Sequence, residues 1–153
     1  MTFRVDNVVT SGLFKLDGGE WEVDNNVWIV GDDSEVYIID AAHDAKAIAA
    51  AVGNRRVKGI IATHGHSDHI DAAPELSRLV NAPVYLHPTD GFLWQRENPN
   101  AHYEQLLDGA TFNIAGTDLK VLSTPGHSPG SVVIYAPEAG ELFSGDTLFQ
   151  GCL

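Results

Sequence analysis

The chain has 153 residues, enough for one domain and short for two. Its 44% hydrophobic and 20% charged residues are ordinary globular values, and 21 acidic against 9 basic residues leave a formal charge of −12. That balance opposes nucleic acid and anionic membrane surfaces, both of which are held by basic side chains. In chain order, residues 3–15 hold short apolar alternations broken by Ser11-Gly12 and Asp17-Gly18-Gly19. Val27–Val30 and Val36–Ile39 flank Gly31-Asp32-Asp33-Ser34, the pattern of a hairpin. Residues 44–52 predict a helix that Asp44 caps and Gly53 ends, with Ala47, Ile48 and Ala51 on one face. Val57–Ala62 is an apolar run suited to a buried strand. A second helix is expected from near Asp71, with Pro74 in its first turn and Leu76, Leu79 and Val80 along one face.

Pro83–His87 then reads as a strand, and residues 88–109 as irregular with a short helix around Phe92–Arg96. Residues 110–114 and 119–123 form a hairpin pattern across Ala115-Gly116-Thr117, and Val132–Ala136 and Glu141–Ser144 are strands across Pro137–Gly140. The order ββαβαβ followed by strands predicts an α/β layered fold with mixed sheets. One cysteine, Cys152, excludes an internal disulfide framework. The first residues lack a basic stretch followed by an apolar run, and no apolar stretch approaches the roughly 20 residues that cross a bilayer. The expectation is a soluble, cytoplasmic protein that acts on a small molecule.

The strongest chemical signal is Thr63-His-Gly-His-Ser-Asp-His-Ile70, between an apolar strand and a helix. In extended backbone residues i and i+2 point the same way, so His64 and His66 can present two imidazoles to one point. Asp68 and His69 follow as the chain turns into the helix. Three imidazoles and a carboxylate on a strand-end loop suit zinc or a similar divalent metal. Two later segments also end strands with one polar side chain each: Thr124-Pro-Gly-His127-Ser-Pro-Gly130 and Ser144-Gly-Asp146. A lone turn histidine is ordinarily structural, and a Gly-Asp after a strand is ordinarily a turn. Their weight comes from the combination.

His64-x-His66-x-Asp68-His69, the Pro-Gly-His127 turn and Ser-Gly-Asp146 together resemble the metallo-β-lactamase-fold hydrolase superfamily, in its glyoxalase-II-like branch, over roughly residues 24–150. The resemblance implies an αββα sandwich with metals at one edge between the sheets. It implies that His64, His66 and His127 hold a first metal, that Asp68 and His69 belong to a second, and that Asp146 bridges both. The cofactor would be zinc, one ion or two. The implied function is hydrolysis of a thioester or another small acyl compound, with metal-held hydroxide as nucleophile and Asp68 as the catalytic carboxylate that orients it or takes its proton. An alternative within the superfamily is a persulfide-dioxygenase-like oxidoreductase with one Fe2+ on His64, His127 and Asp146. A third is a non-catalytic domain that binds metal or a partner.

The family pattern continues to a further histidine on a later strand, whereas this sequence stops at Leu153, seven residues after Asp146. His43, His87 and His102 precede the His127 turn and are expected to be supporting, surface or core residues. The expectation is a single domain over residues 1–153, incomplete after the strand carrying Asp146. Val132, Ile134, Leu142 and Phe143 would then lack cover and favour self-association through that sheet. Asp40, closing a strand, is a candidate support for the metal site or a turn former. Trp21, Trp28, Trp94, Phe92 and Tyr103 are candidates for a substrate mouth, or for core.

Overall fold

A computed structural model describes residues 3–126, 128–144 and 147–150. The motif residues His127 and Asp146 lie outside the described residues. Two sheets face each other. The first has six strands in the order β1 (Arg4–Leu16), β2 (Gly19–Gly31), β3 (Glu35–Ile39), β4 (Arg56–Ile61), β5 (Val84–Leu86) and β6 (Glu104–Gln105). β1, β2 and β3 pair antiparallel, and β3 through β6 pair parallel. The second sheet is antiparallel in the order β11 (Thr147–Gln150), β10 (Glu141–Ser144), β9 (Val132–Ala136), β8 (Thr117–Ser123), β7 (Thr111–Ile114).

Strand alternation splits the interior into two cores. Val27 and Ile29 of β2 and Val36 and Ile38 of β3 pack under the helices with Ile48, Leu76 and Trp94. Val30 and Trp28 of β2, with Tyr37 and Ile39 of β3, face the second sheet, where Leu119, Val121, Val132, Ile134 and Phe143 complete the inter-sheet core. The described helices pack on the outer face of the first sheet, giving helix, sheet and sheet layers of the αββα sandwich that the resemblance implies. Val132, Ile134 and Phe143 therefore do not lack cover, contrary to expectation: all three are buried between the sheets. The outward face of the second sheet is the one carrying Leu122, Val133, Tyr135 and Leu142, which remain partly or largely exposed. Among the described residues no helix is long and apolar enough to cross a membrane.

The expected hairpin of β2 and β3 forms, with Asp32 Oδ1 accepting the Ser34 and Glu35 N–H groups at its turn. Residues 4–16 and 19–31 form a longer hairpin around Asp17-Gly18, both at positive φ, the geometry two-residue hairpin turns require. Ala115-Gly116 makes the same turn, so Thr117 and Asp118 join β8 rather than the loop. Helix α1 (Ala45–Val52) starts at Asp44, whose side chain accepts the Ala47 N–H, and ends at Gly53 with φ of 66°. Its buried face is Ala45, Ile48 and Val52; Ala47 and Ala51 point to solvent. Ser67–Ile70 forms a separate short helix, α2, which delays the main helix α3 to Ala73–Val80. Leu76 is buried there, while Leu79 is exposed. Helix α4 (Gly91–Glu97) follows a 3-10 turn at Pro88–Asp90.

Gly31 ends β2 at φ of 153°, and a Cβ there would lie 2.1 Å from the Glu35 carbonyl oxygen and 2.8 Å from the Val36 Cα. Both obstacles are backbone of the paired strand and cannot swing away. Gly31→Ala is expected to destabilise by about 2–4 kcal/mol, combining backbone strain with the displaced strand, and thermal or urea unfolding measures it.

Candidate metal centre

The parallel strands β3, β4 and β5 end on the same edge of the first sheet, where α/β proteins place their sites. Asp40 follows β3, Thr63 to His66 follow β4, and His87 to Asp90 follow β5. The second sheet closes the edge through the Val132 N–H, which donates to the Thr63 carbonyl at 2.8 Å. Asp40, His64 and His69 are buried there, with potential ligand atoms within 4.8 Å of one another. The His64 ring lies 4.1 Å from that of His69 and 5.0 Å from that of His66, centroid to centroid.

Asp40 sits at φ of 61°, a conformation that Asp tolerates better than most residues. This backbone turns its carboxylate under the β4 loop. Its Oδ1 accepts the Thr63 N–H at 2.7 Å, and its Oδ2 accepts the Thr63 hydroxyl at 2.8 Å. Oδ2 also lies 2.9 Å from His69 Nδ1. These contacts make Asp40 an orienting group for the histidines more than a ligand. The Thr63 hydroxyl gives its one proton to Asp40, so its oxygen accepts from His64 Nδ1, 3.1 Å away. The hydrogen-bond network thus assigns the Nδ1–H tautomer to the neutral rings of both His64 and His69 and puts their lone pairs on Nε2. Burial alone would raise the Asp40 carboxyl, but when His69 and His64 are protonated their positive charges, with the His69 hydrogen bond and the Thr63 N–H, outweigh it and hold it below its ordinary value. A lowered folded value means the contribution of Asp40 to stability is fully present above the ordinary unfolded value of about 3.9 and disappears as pH falls through the folded value. The stability difference between wild type and Asp40→Asn in urea is expected to shrink on acidification from pH 5, not to grow.

A second layer supports Asp68 and His69. Asn25, buried in β2, donates Nδ2–H to Asp68 Oδ2 at 3.0 Å and lies 3.3 Å from His69 Nε2. His43 Nε2 meets Asn25 Oδ1 at 2.8 Å, and Asp71 grips His43 through the backbone N–H and Nδ1. Gly12 makes room for this ring, since a Cβ there would lie 2.3 Å from His43 Nδ1. Asp68 Oδ2 is 3.5 Å from His69 Nε2. The structure therefore gathers His64, His66, Asp68 and His69 at one edge and adds Asp40. His43 supports the site through Asn25. His87 accepts the Thr89 N–H, and His102 is exposed beside Glu104. Of the aromatic candidates, Trp94 is core with Tyr103 against it, Trp28 packs on Phe143, and Phe92 is exposed. Trp21 stands 6.0 Å from Phe14, whose ring lies edge-on 6.0 Å from His66. Asn25 was hidden in the sequence; its one signal is a polar residue at a strand position whose neighbours of the same parity, Val23 and Val27, are apolar.

Two face-to-face sheets with imidazoles and carboxylates at the ends of parallel strands define a metal-binding sandwich protein. The family model of the metallo-beta-lactamase superfamily matches residues 21–153, and the chain belongs to that superfamily, whose fold implies a metal ion. It is 33% identical to the probable metallo-hydrolase YqgX of Bacillus subtilis, over 82% of this chain and 67% of that protein. It is 38% identical to a hydroxyacylglutathione hydrolase of Bartonella quintana, over 84% of this chain and 51% of that one. Among solved structures it superposes on TTHA1623 in a di-iron-bound form with a TM-score of 0.69 and 30% identity, covering 84% of this chain and 70% of that one. The chain spans about two thirds of YqgX and about half of the hydroxyacylglutathione hydrolase. The donor set fits the implied ion: imidazole nitrogens and carboxylate oxygens suit zinc and iron alike.

Proposed function

We propose that the chain is a metal-dependent hydrolase of a thioester or another small acyl compound, with His64, His66 and His127 as one ligand group, Asp68 and His69 as a second, and Asp146 between them. The observation that carries this reading is the paired orientation of His64 and His69 by Thr63 and Asp40, which leaves both Nε2 lone pairs for a metal. The relationship to a hydroxyacylglutathione hydrolase supports a thioester as substrate. Bound metal would supply Lewis acidity and a water acidic enough to ionise near neutral pH. Asp68, steadied by Asn25, would orient the attacking water and accept its proton. Phe14 and Trp21 offer an apolar wall beside His66 for the acyl group.

The test is hydrolysis of a hydroxyacyl-glutathione thioester by the chain loaded with zinc, against the chelated protein and against a β-lactam. Metal-dependent thioester cleavage with no β-lactam turnover is the expected result. Failure to cleave any acyl substrate with zinc bound would overturn the reading. The di-iron relative supports iron as the second candidate metal. Iron together with oxygen consumption on glutathione persulfide would replace hydrolysis by the dioxygenase reading.

A further inference from the structure

Asp90 is completely buried, yet it makes no side-chain cap for the helix it precedes. Its carboxylate instead reaches two loops that are far apart in sequence. Oδ2 accepts the backbone N–H of Gly65 at 2.8 Å and the hydroxyl of Ser128 at 2.6 Å. Oδ1 accepts the backbone N–H of Gly130 at 2.7 Å. Gly65 lies between His64 and His66, and Ser128 follows His127 directly. The two glycines show independently that this approach is close. A Cβ on Gly130 would lie 2.7 Å from the Asp90 nitrogen, and one on Gly65 would lie 2.9 Å from the Leu93 Cβ and 3.1 Å from the Asp90 carbonyl oxygen. No larger residue fits at either end without moving the backbone around Asp90.

We propose that Asp90 is a positioning residue, a buried latch that clamps the His64-Gly65-His66 loop to the Ser128–Gly130 turn and so fixes the distance between imidazoles contributed by the two loops. This rests on the reading of His64, His66 and His127 as metal ligands. A charged acceptor with three donors holds more firmly than neutral pairs would. Substitution by Asn cannot reproduce it. An amide has one acceptor oxygen, so its NH2 group must face either the Gly65 and Ser128 donors or the Gly130 N–H. One orientation loses the Gly65 N–H contact and frees the histidine loop; the other loses the Gly130 N–H contact and leaves the turn held by the Ser128 hydroxyl alone.

The experiment compares wild-type chain, Asp90→Asn and Ser128→Ala with cobalt(II) as the probe, well below the unfolding temperature of each. Affinity is read by chelator competition per folded chain, and site geometry by the cobalt absorption bands. The expected result is a 10- to 100-fold loss of cobalt affinity and altered bands in Asp90→Asn, the range for outer-layer supports of metal sites. A several-fold loss is expected in Ser128→Ala. The double variant should lose no more than Asp90→Asn alone within about twofold, because both changes open one latch. If Asp90→Asn does not fold, the Ser128→Ala result decides. Wild-type affinity and bands in the folded variants would overturn the latch, even if their thermal stability fell. Wild-type chain that binds no cobalt would overturn the metal reading itself, and the latch with it.

Discussion

Asp40→Ala is expected to leave the metal-free protein barely folded or unfolded. The buried carboxylate accepts from the Thr63 N–H, the Thr63 hydroxyl and His69 Nδ1. Removing it leaves those donors facing a dry cavity, at about 1–3 kcal/mol for each group that finds no new acceptor. Alanine also inherits φ of 61°, which adds roughly 1–2 kcal/mol. With all three donors unsatisfied the sum is about 4–11 kcal/mol, comparable to the whole stability of an ordinary domain. Asp40→Gly relieves the backbone component and should be more stable than Asp40→Ala by about 1 kcal/mol. Asp40→Asn tolerates the backbone and keeps one acceptor, so it should fold and show its defect in metal affinity. Urea unfolding of the three variants separates the components, and equal losses in Ala and Gly would contradict the backbone part.

His64→Ala and His69→Ala are expected to lower metal affinity by at least about 100-fold each, more than any supporting residue, since each removes a ligand nitrogen from a small set. His102→Ala is the control: that ring is exposed, pairs only with Glu104 among the described residues, and should leave metal content unchanged. Equal losses in all three variants, by elemental analysis after exhaustive washing, would contradict the assignment. Hydrolysis should fall with the metal.

Local chemistry was legible where it acts locally. Asp44 and Gly53 delimit α1 as their side-chain and backbone chemistry requires, and the Gly31–Ser34 turn pairs β2 with β3. The His64-x-His66 spacing pointed to the site because extended backbone aims alternate residues together. Faces were less legible: in α1, Ala45 and Val52 are inside and Ala47 and Ala51 outside, and a run of alanines carries almost no amphipathic signal. The β1–β2 hairpin was obscured because Ser11, Gly12, Asn25 and Asn26 interrupt its alternation. Two of those interruptions belong to the site, Asn25 holding Asp68 and Gly12 admitting His43. Asp90 was invisible for another reason. In sequence it ends His87-Pro-Thr, an ordinary turn, and its partners Gly65, Ser128 and Gly130 are 25 to 40 positions away. Tertiary proximity alone gives that residue its meaning.

The most direct measurement is the metal content of the wild-type chain, purified without chelator and then equilibrated with zinc and freed of excess. A site whose imidazoles are oriented by Asp40 and Thr63 should retain at least one zinc or iron per chain. No metal as purified, and no gain on adding zinc, would contradict it.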